Sequence, residues 1–217
     1  RADSAQQKYS MFSEIRLTER TLARANIGYS IASLDGGPHS EDIGGTIVGG
    51  ASVQTELSPD ISHSLSYAHS RREGFLSGFD MQDNYAYMLQ WKGIDSMAAF
   101  HAAYGVFDPS DSAINGYRDV SAGLSFSFPL VLRLLVLQAA TTYSSRNNET
   151  PADDTIDEIE WIADYETWVS SLGTGLRISD NVDFAVQYQH VKRWGDSADL
   201  DYSRDVVSAL FTYSHTF

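Results

Sequence analysis

The 217-residue chain contains no cysteine, which removes disulfides, thiolate metal sites and cysteine nucleophiles together and leaves its compartment undecided by redox chemistry. It is also short of positive charge, with 15 Lys and Arg against 29 Asp and Glu, a net charge of −14. Phosphate backbones are held by concentrated cations, so nucleic acid is excluded as a partner. Long apolar runs are missing as well. The longest, Phe128 to Leu137, is interrupted by Arg133 and falls well short of the roughly 20 residues that a membrane-crossing helix needs. The opening Arg1-Ala2-Asp3-Ser4 lacks the basic start and apolar middle of a secretory signal, so for an exported protein the expectation is that the signal has been removed.

What the chain has in abundance is alternation. Val182, Phe184, Val186 and Tyr188 alternate with Asp183, Ala185, Gln187 and Gln189, and Val120, Ala122, Leu124, Phe126 and Phe128 with Ser121, Gly123, Ser125 and Ser127. Successive side chains of a strand point to opposite faces, so this is a strand period with one apolar and one polar face. The pattern predicts ten strands, near 21–33, 43–57, 61–71, 83–92, 96–107, 118–128, 131–145, 163–178, 182–194 and 204–217, with twelve as the alternative count. The connections alternate too. Short turns at Ser58-Pro59-Asp60, Gly93-Ile94-Asp95, around Pro129 and at Ser179-Asp180-Asn181 are built from turn formers, whereas 34–42, 72–82, 108–117, 146–162 and 195–203 are longer.

A soluble barrel or sandwich would alternate in the same way with its apolar face inward. Two features favour a transmembrane, antiparallel, up-and-down β-barrel instead. The polar face is rich in small residues such as Ser62, Ser64, Ser66 and Ala68, which suit a lumen, and Tyr29, Tyr67, Trp91, Tyr104, Trp168 and Trp194 lie near strand ends on the apolar face, as interfacial girdles do. A bilayer offers no water to unpaired backbone groups, so the last strand is expected to pair with the first, near Ala23 to Ile31.

The terminal segment Ala209-Leu210-Phe211-Thr212-Tyr213-Ser214-His215-Thr216-Phe217 resembles the C-terminal assembly signal of Gram-negative outer-membrane β-barrel proteins, with Phe217, Tyr213 and Phe211 at the matching positions. The resemblance implies location in the outer membrane, recognition by the barrel-assembly machinery, and surroundings of outer-membrane lipid and lipopolysaccharide. It implies short periplasmic turns and longer external loops, and it singles out no subfamily.

Candidate functional residues follow from parity. Arg24, Glu56, Lys92, Arg177 and Asp183 fall on the inward face at the short-turn end, and Arg177 and Asp183 are expected to face each other across a hairpin. They make either ion pairs that close the barrel floor or a charged constriction that selects solutes. His101 is also inward. With Ser125, Ser127 and Asp119 it could in principle supply a hydrolytic site, the least favoured reading against that of a lumen hydrogen-bonding residue. His63, His69, His190 and His215 fall outward without a metal-binding spacing. Carboxylates crowd the long connections, above all Asp153, Asp154, Asp157 and Glu158, where a solvated, self-repelling surface competes with Ca2+ or Mg2+ binding; no other cofactor is expected.

Residues 1–20 lie outside the regular pattern and are expected to form a periplasmic or plug segment ahead of a barrel over 21–217, although their periodicity fits a helix and a strand equally. The functional expectation is a non-enzymatic, narrow, porin-like channel for ions or small solutes. The alternative is a non-conducting barrel that anchors an envelope or surface assembly through a protein partner at the loops or the N-terminal segment.

Overall fold

Three of the tight turns show why the chain reverses where it does. The Thr18 hydroxyl accepts from the Arg20 amide at 3.2 Å, Ser58 from Asp60 at 3.4 Å and Ser179 from Asn181 at 3.4 Å, so a hydroxyl two residues back takes up an amide that the ladder leaves over. A computed structural model describes residues 3–35, 45–73, 79–109, 116–131, 134–148, 164–179, 181–195 and 201–213. These residues form β1 (Asp3–Thr18), β2 (Thr21–Asp35), β3 (Thr46–Ser58), β4 (Ile61–Glu73), β5 (Phe79–Lys92), β6 (Met97–Pro109), β7 (Tyr117–Val131), β8 (Leu135–Asn148), β9 (Tyr165–Ser179), β10 (Val182–Gly195) and β11 (Tyr202–Tyr213). Each strand pairs antiparallel with the next, in sheet order β1 to β11. The up-and-down antiparallel architecture and the alternation of short and long connections are as the sequence predicts.

Three expectations are corrected. The described residues hold eleven strands in place of ten, because residues 3–18 are no separate periplasmic or plug segment. They run in register with β2 from Asp3↔Asp35 to Thr18↔Thr21. The period was obscured because Phe12 falls on the polar face among Lys8, Glu14 and Arg16, while Tyr9, Met11, Ile15 and Leu17 keep the apolar one. Second, the last strand does not pair with Ala23 to Ile31. That segment lies in β2, whose two edges are taken by β1 and β3. Third, β7 runs through Pro129, which pairs with Val136 at the irregular end of the ladder, so the turn falls after Val131. A proline is tolerated there because the last pairs of a hairpin need not use its missing amide.

The sheet has no conventional core. Among the described residues only Val48 and Phe107 are buried apolar side chains, while Ile15, Ile27, Leu65, Leu124, Leu172 and Val207 are each more than two-fifths exposed. Water would penalise so much apolar surface, and hydrocarbon would not. Rings cluster on this same face, with Tyr67 and Tyr85 centroids 4.9 Å apart and Tyr85 and Tyr104 6.2 Å apart across β4, β5 and β6. The apolar face is therefore the one suited to lipid, and the polar, small-residue face lies on the other side of the sheet.

Gly123 shows how tightly the polar face is built. A Cβ added there would lie 2.7 Å from the Thr141 carbonyl oxygen and against the His101 ring, so the imidazole occupies the space that the glycine leaves. Gly123→Val should therefore cost about 1–3 kcal/mol, read as a lower urea midpoint for unfolding from lipid vesicles. Gly175→Ala is the control, because a Cβ there meets nothing within 4 Å. Equal midpoints for the two variants would contradict this packing.

Candidate functional site

At the end carrying the long connections, five consecutive strands each contribute one ring or guanidinium to the polar face. Phe107 of β6 stacks on Tyr117 of β7 with centroids 4.1 Å apart and planes 16° apart. The Arg146 guanidinium of β8 lies 3.9 Å from the centroid of Tyr117 and 5.2 Å from that of Tyr165 on β9. Arg193 of β10 covers the other side of the row, 3.7 Å from the Tyr165 centroid. The register explains the order, since Phe107 pairs with Tyr117 and Arg146 with Tyr165. Planar guanidinium on an aromatic face is favourable when partly desolvated, and the stacking leaves the in-plane donors free to bind.

The two arginines are not equivalent. Asp119, the register partner of Arg146, accepts from its Nε at 2.7 Å and from its Nη2 at 2.8 Å, a bidentate fork that neutralises this guanidinium and fixes its plane. Among the described residues Arg193 has no such carboxylate, and its buried Nε finds no hydrogen-bond partner there. Within the described residues the ladder therefore carries one positive charge more than its carboxylates offset.

Two aspartates brace the site from outside. Asp164 accepts from the Asn148 amide at 2.6 Å and from its side chain at 3.2 Å, tying the end of β8 to the start of β9. Asp201 accepts from the Gly195 amide at 2.9 Å and does the same between β10 and β11. Between these roots lies an open cleft of about 400 Å³ lined by Arg146, Asp164, Tyr165 and Trp194 among others. The carboxylates nearest the strands are thus structural ties, whereas Asp153, Asp154, Asp157 and Glu158 lie outside the described residues. Among the described residues no three His, Asp or Glu side chains gather as a metal site.

The residues expected at the short-turn end do not meet as one ring. Arg24 pairs with Glu14 of β1 at 2.8 Å, a partner outside the predicted barrel strands. Glu56 lines a shallow cleft with Arg16 and Arg20. Lys92 closes the β4–β5 end by donating its amide to the Asp60 carbonyl at 2.8 Å. Asp183 and Arg177 are register partners, as their symmetry about Asp180 implies, and the Arg177 side chain lies outside the described residues. His101 sits over Gly123. Asp119 is engaged by Arg146 and pairs with Gly105 across β6, so it does not orient His101. Phe211 and Tyr213 lie exposed on the apolar face of β11, while Phe217 lies outside the described residues.

The sequence reading missed the ladder because it placed Tyr117 and Arg146 in loops. Carrying the inward parity two residues further at each strand end would have collected Phe107, Tyr117, Arg146, Tyr165 and Arg193.

No protein-family model and no curated protein matches the chain. Solved structures do. The sheet superposes on the siderophore receptor PirA from Pseudomonas aeruginosa with a TM-score of 0.70 at 14% identity, over 95% of this chain and 38% of that one. OmpT, an outer membrane protein of Vibrio cholerae, gives 0.56 at 10% identity in a loop-deleted form, over 88% of this chain and 62% of that one. Its trimer form gives 0.54 at 9% identity over 96% of both. The chain spans well under half the length of the siderophore receptor it matches. At these identities the likeness is one of fold. Taken with the lipid-facing apolar surface, it places the protein in the bacterial outer membrane, with the antiparallel up-and-down sheet of outer-membrane β-barrel proteins.

Proposed function

We propose that the protein forms a channel for small solutes and that the ladder selects those bearing a carboxylate. The observation that carries this reading is Arg193, its guanidinium carbon 3.7 Å from the Tyr165 ring centroid at the loop-rich end and, among the described residues, without a carboxylate partner like that of Arg146. A solute carboxylate could pair with the half-buried Arg193 guanidinium through its terminal nitrogens, and the aromatic row offers apolar contact to the rest of the solute. Arg146 is held rigid by Asp119 and supplies a second guanidinium plane beside the first. The small side chains further along the lumen, Ser64, Ser66, Ala86, Ala103 and Ser125, leave room for passage.

Planar-bilayer recording tests the reading. Discrete conductance steps, blocked in a concentration-dependent way by small monocarboxylates, are expected. A silent bilayer from protein shown to be folded by its β-sheet circular dichroism would reject the channel in favour of a non-conducting anchor.

A further inference from the structure

The lipid-facing side carries a polar device that occurs twice. On β4 the run is Tyr67-Ala68-His69-Ser70-Arg71, and on β10 it is Tyr188-Gln189-His190-Val191-Lys192. In each, tyrosine, histidine and the basic residue are two apart and so share the outward face. In each, the next strand sets an aspartate opposite the histidine, Asp83 to His69 and Asp205 to His190. The contacts repeat as well. Tyr67 donates its hydroxyl to Asp83 Oδ1 at 2.6 Å, and His69 Nδ1 meets the same oxygen at 2.8 Å. Tyr188 donates to Asp205 Oδ1 at 2.6 Å, and His190 Nδ1 meets that oxygen at 2.7 Å.

Both clusters also stand at one depth. His69 is eight residues from Ile61 and His190 eight from Val182, each counted from the short-turn start of its strand. At a strand rise of about 3.3 Å and a tilt of about 40°, that is roughly 20 Å along the barrel axis, close to the far edge of an apolar band about 25 Å tall. The basic residue lies two positions further toward the long connections, where lipid headgroups begin.

A charged aspartate is costly on a lipid-facing wall, so its appearance twice in one setting calls for a reason beyond sheet stability. In both clusters the carboxylate holds Nδ1 of the imidazole, and the basic residue stands two positions further along the same face. The neighbours on the other side differ: His69 is opposite Gly49, whereas His190 is opposite Ser170. No nucleophile is common to the two, so the shared chemistry is binding. A guanidinium or ammonium beside an oriented imidazole at headgroup depth is complementary to phosphate.

We propose that the two clusters are headgroup sites on the outer wall of the barrel, each holding the phosphate of an outer-leaflet lipid on the basic residue two positions beyond the aspartate-anchored histidine. The proposal rests on the outer-membrane placement and is independent of channel activity. It is tested with the whole protein in mild detergent, titrated with diphosphoryl lipid A and followed by native mass spectrometry. Two saturable adducts are expected. Arg71→Gln and Lys192→Gln should each weaken one of them about fivefold, the loss that one membrane-surface cation implies, and the double variant should weaken both. Each single variant keeps the other site intact as an internal measure of folding. Equal binding by wild type and double variant, or equal binding of lipid A stripped of its phosphates, overturns the proposal.

Discussion

Replacing Arg146 and Arg193 together by Ala should move the ion preference of the reconstituted protein toward cations by about tenfold, read as a shift in reversal potential across a salt gradient. The size follows from Coulomb's law. A unit charge about 5 Å from a passing ion is worth about 1 kcal/mol in water and about 3 kcal/mol at the dielectric of a protein surface, and physiological salt brings two such charges back to roughly the 1.4 kcal/mol that makes a factor of ten. The components should separate. Asp119→Asn releases Arg146 from its bidentate partner and should move selectivity the other way. Tyr165→Ala keeps both charges and removes the platform under Arg193, so it should weaken carboxylate block with little change in selectivity. A reversal potential unmoved by the double substitution would take the ladder out of the permeation path.

The legible and illegible parts of this molecule divide along a physical line. Alternation is a local property, so the strands from β2 to β11 could be read from single segments, and turn chemistry fixed the tight reversals at Ser58-Pro59-Asp60 and Ser179-Asp180-Asn181. Even the pairing of Asp183 with Arg177 could be inferred, from their symmetry about Asp180, although the ladder reaches that register through an irregularity after the Ser179–Val182 pair. The ladder was illegible because it consists of strand ends. Tyr117 and Arg146 border long connections with no turn residue to mark where the strand stops, and their contacts cross between strands whose register is set by pairing, not by sequence distance. The outward clusters were half legible. Parity placed His69 and His190 on the lipid face, but only the register across β4–β5 and β10–β11 shows that each has an aspartate opposite it.

β1 offers the largest effect of all, because it decides between two incompatible barrels. Deleting residues 1–18 should prevent assembly, as judged by loss of the compact, protease-resistant form in lipid vesicles. β2 would lose fifteen register partners along one edge. Each backbone group then unsatisfied in hydrocarbon costs several kcal/mol, against a total stability of about 5–15 kcal/mol. The opposite outcome has its own logic. Eleven antiparallel strands in succession leave β1 and β11 running the same way, so these edges of the described sheet could meet only as a parallel pair. Ten strands from β2 onward would instead leave antiparallel edges and an even count, the usual arrangement of bacterial barrels. The absence of native cysteine makes the choice accessible without editing the rest of the chain. Ile15→Cys with Ala23→Cys joins register partners of β1 and β2, and should cross-link readily in the membrane. Ala23→Cys with Ala209→Cys would cross-link only if β11 takes the edge of β2 that β1 now holds. The first pair should form and the second should not, because one edge of a strand accepts one neighbour.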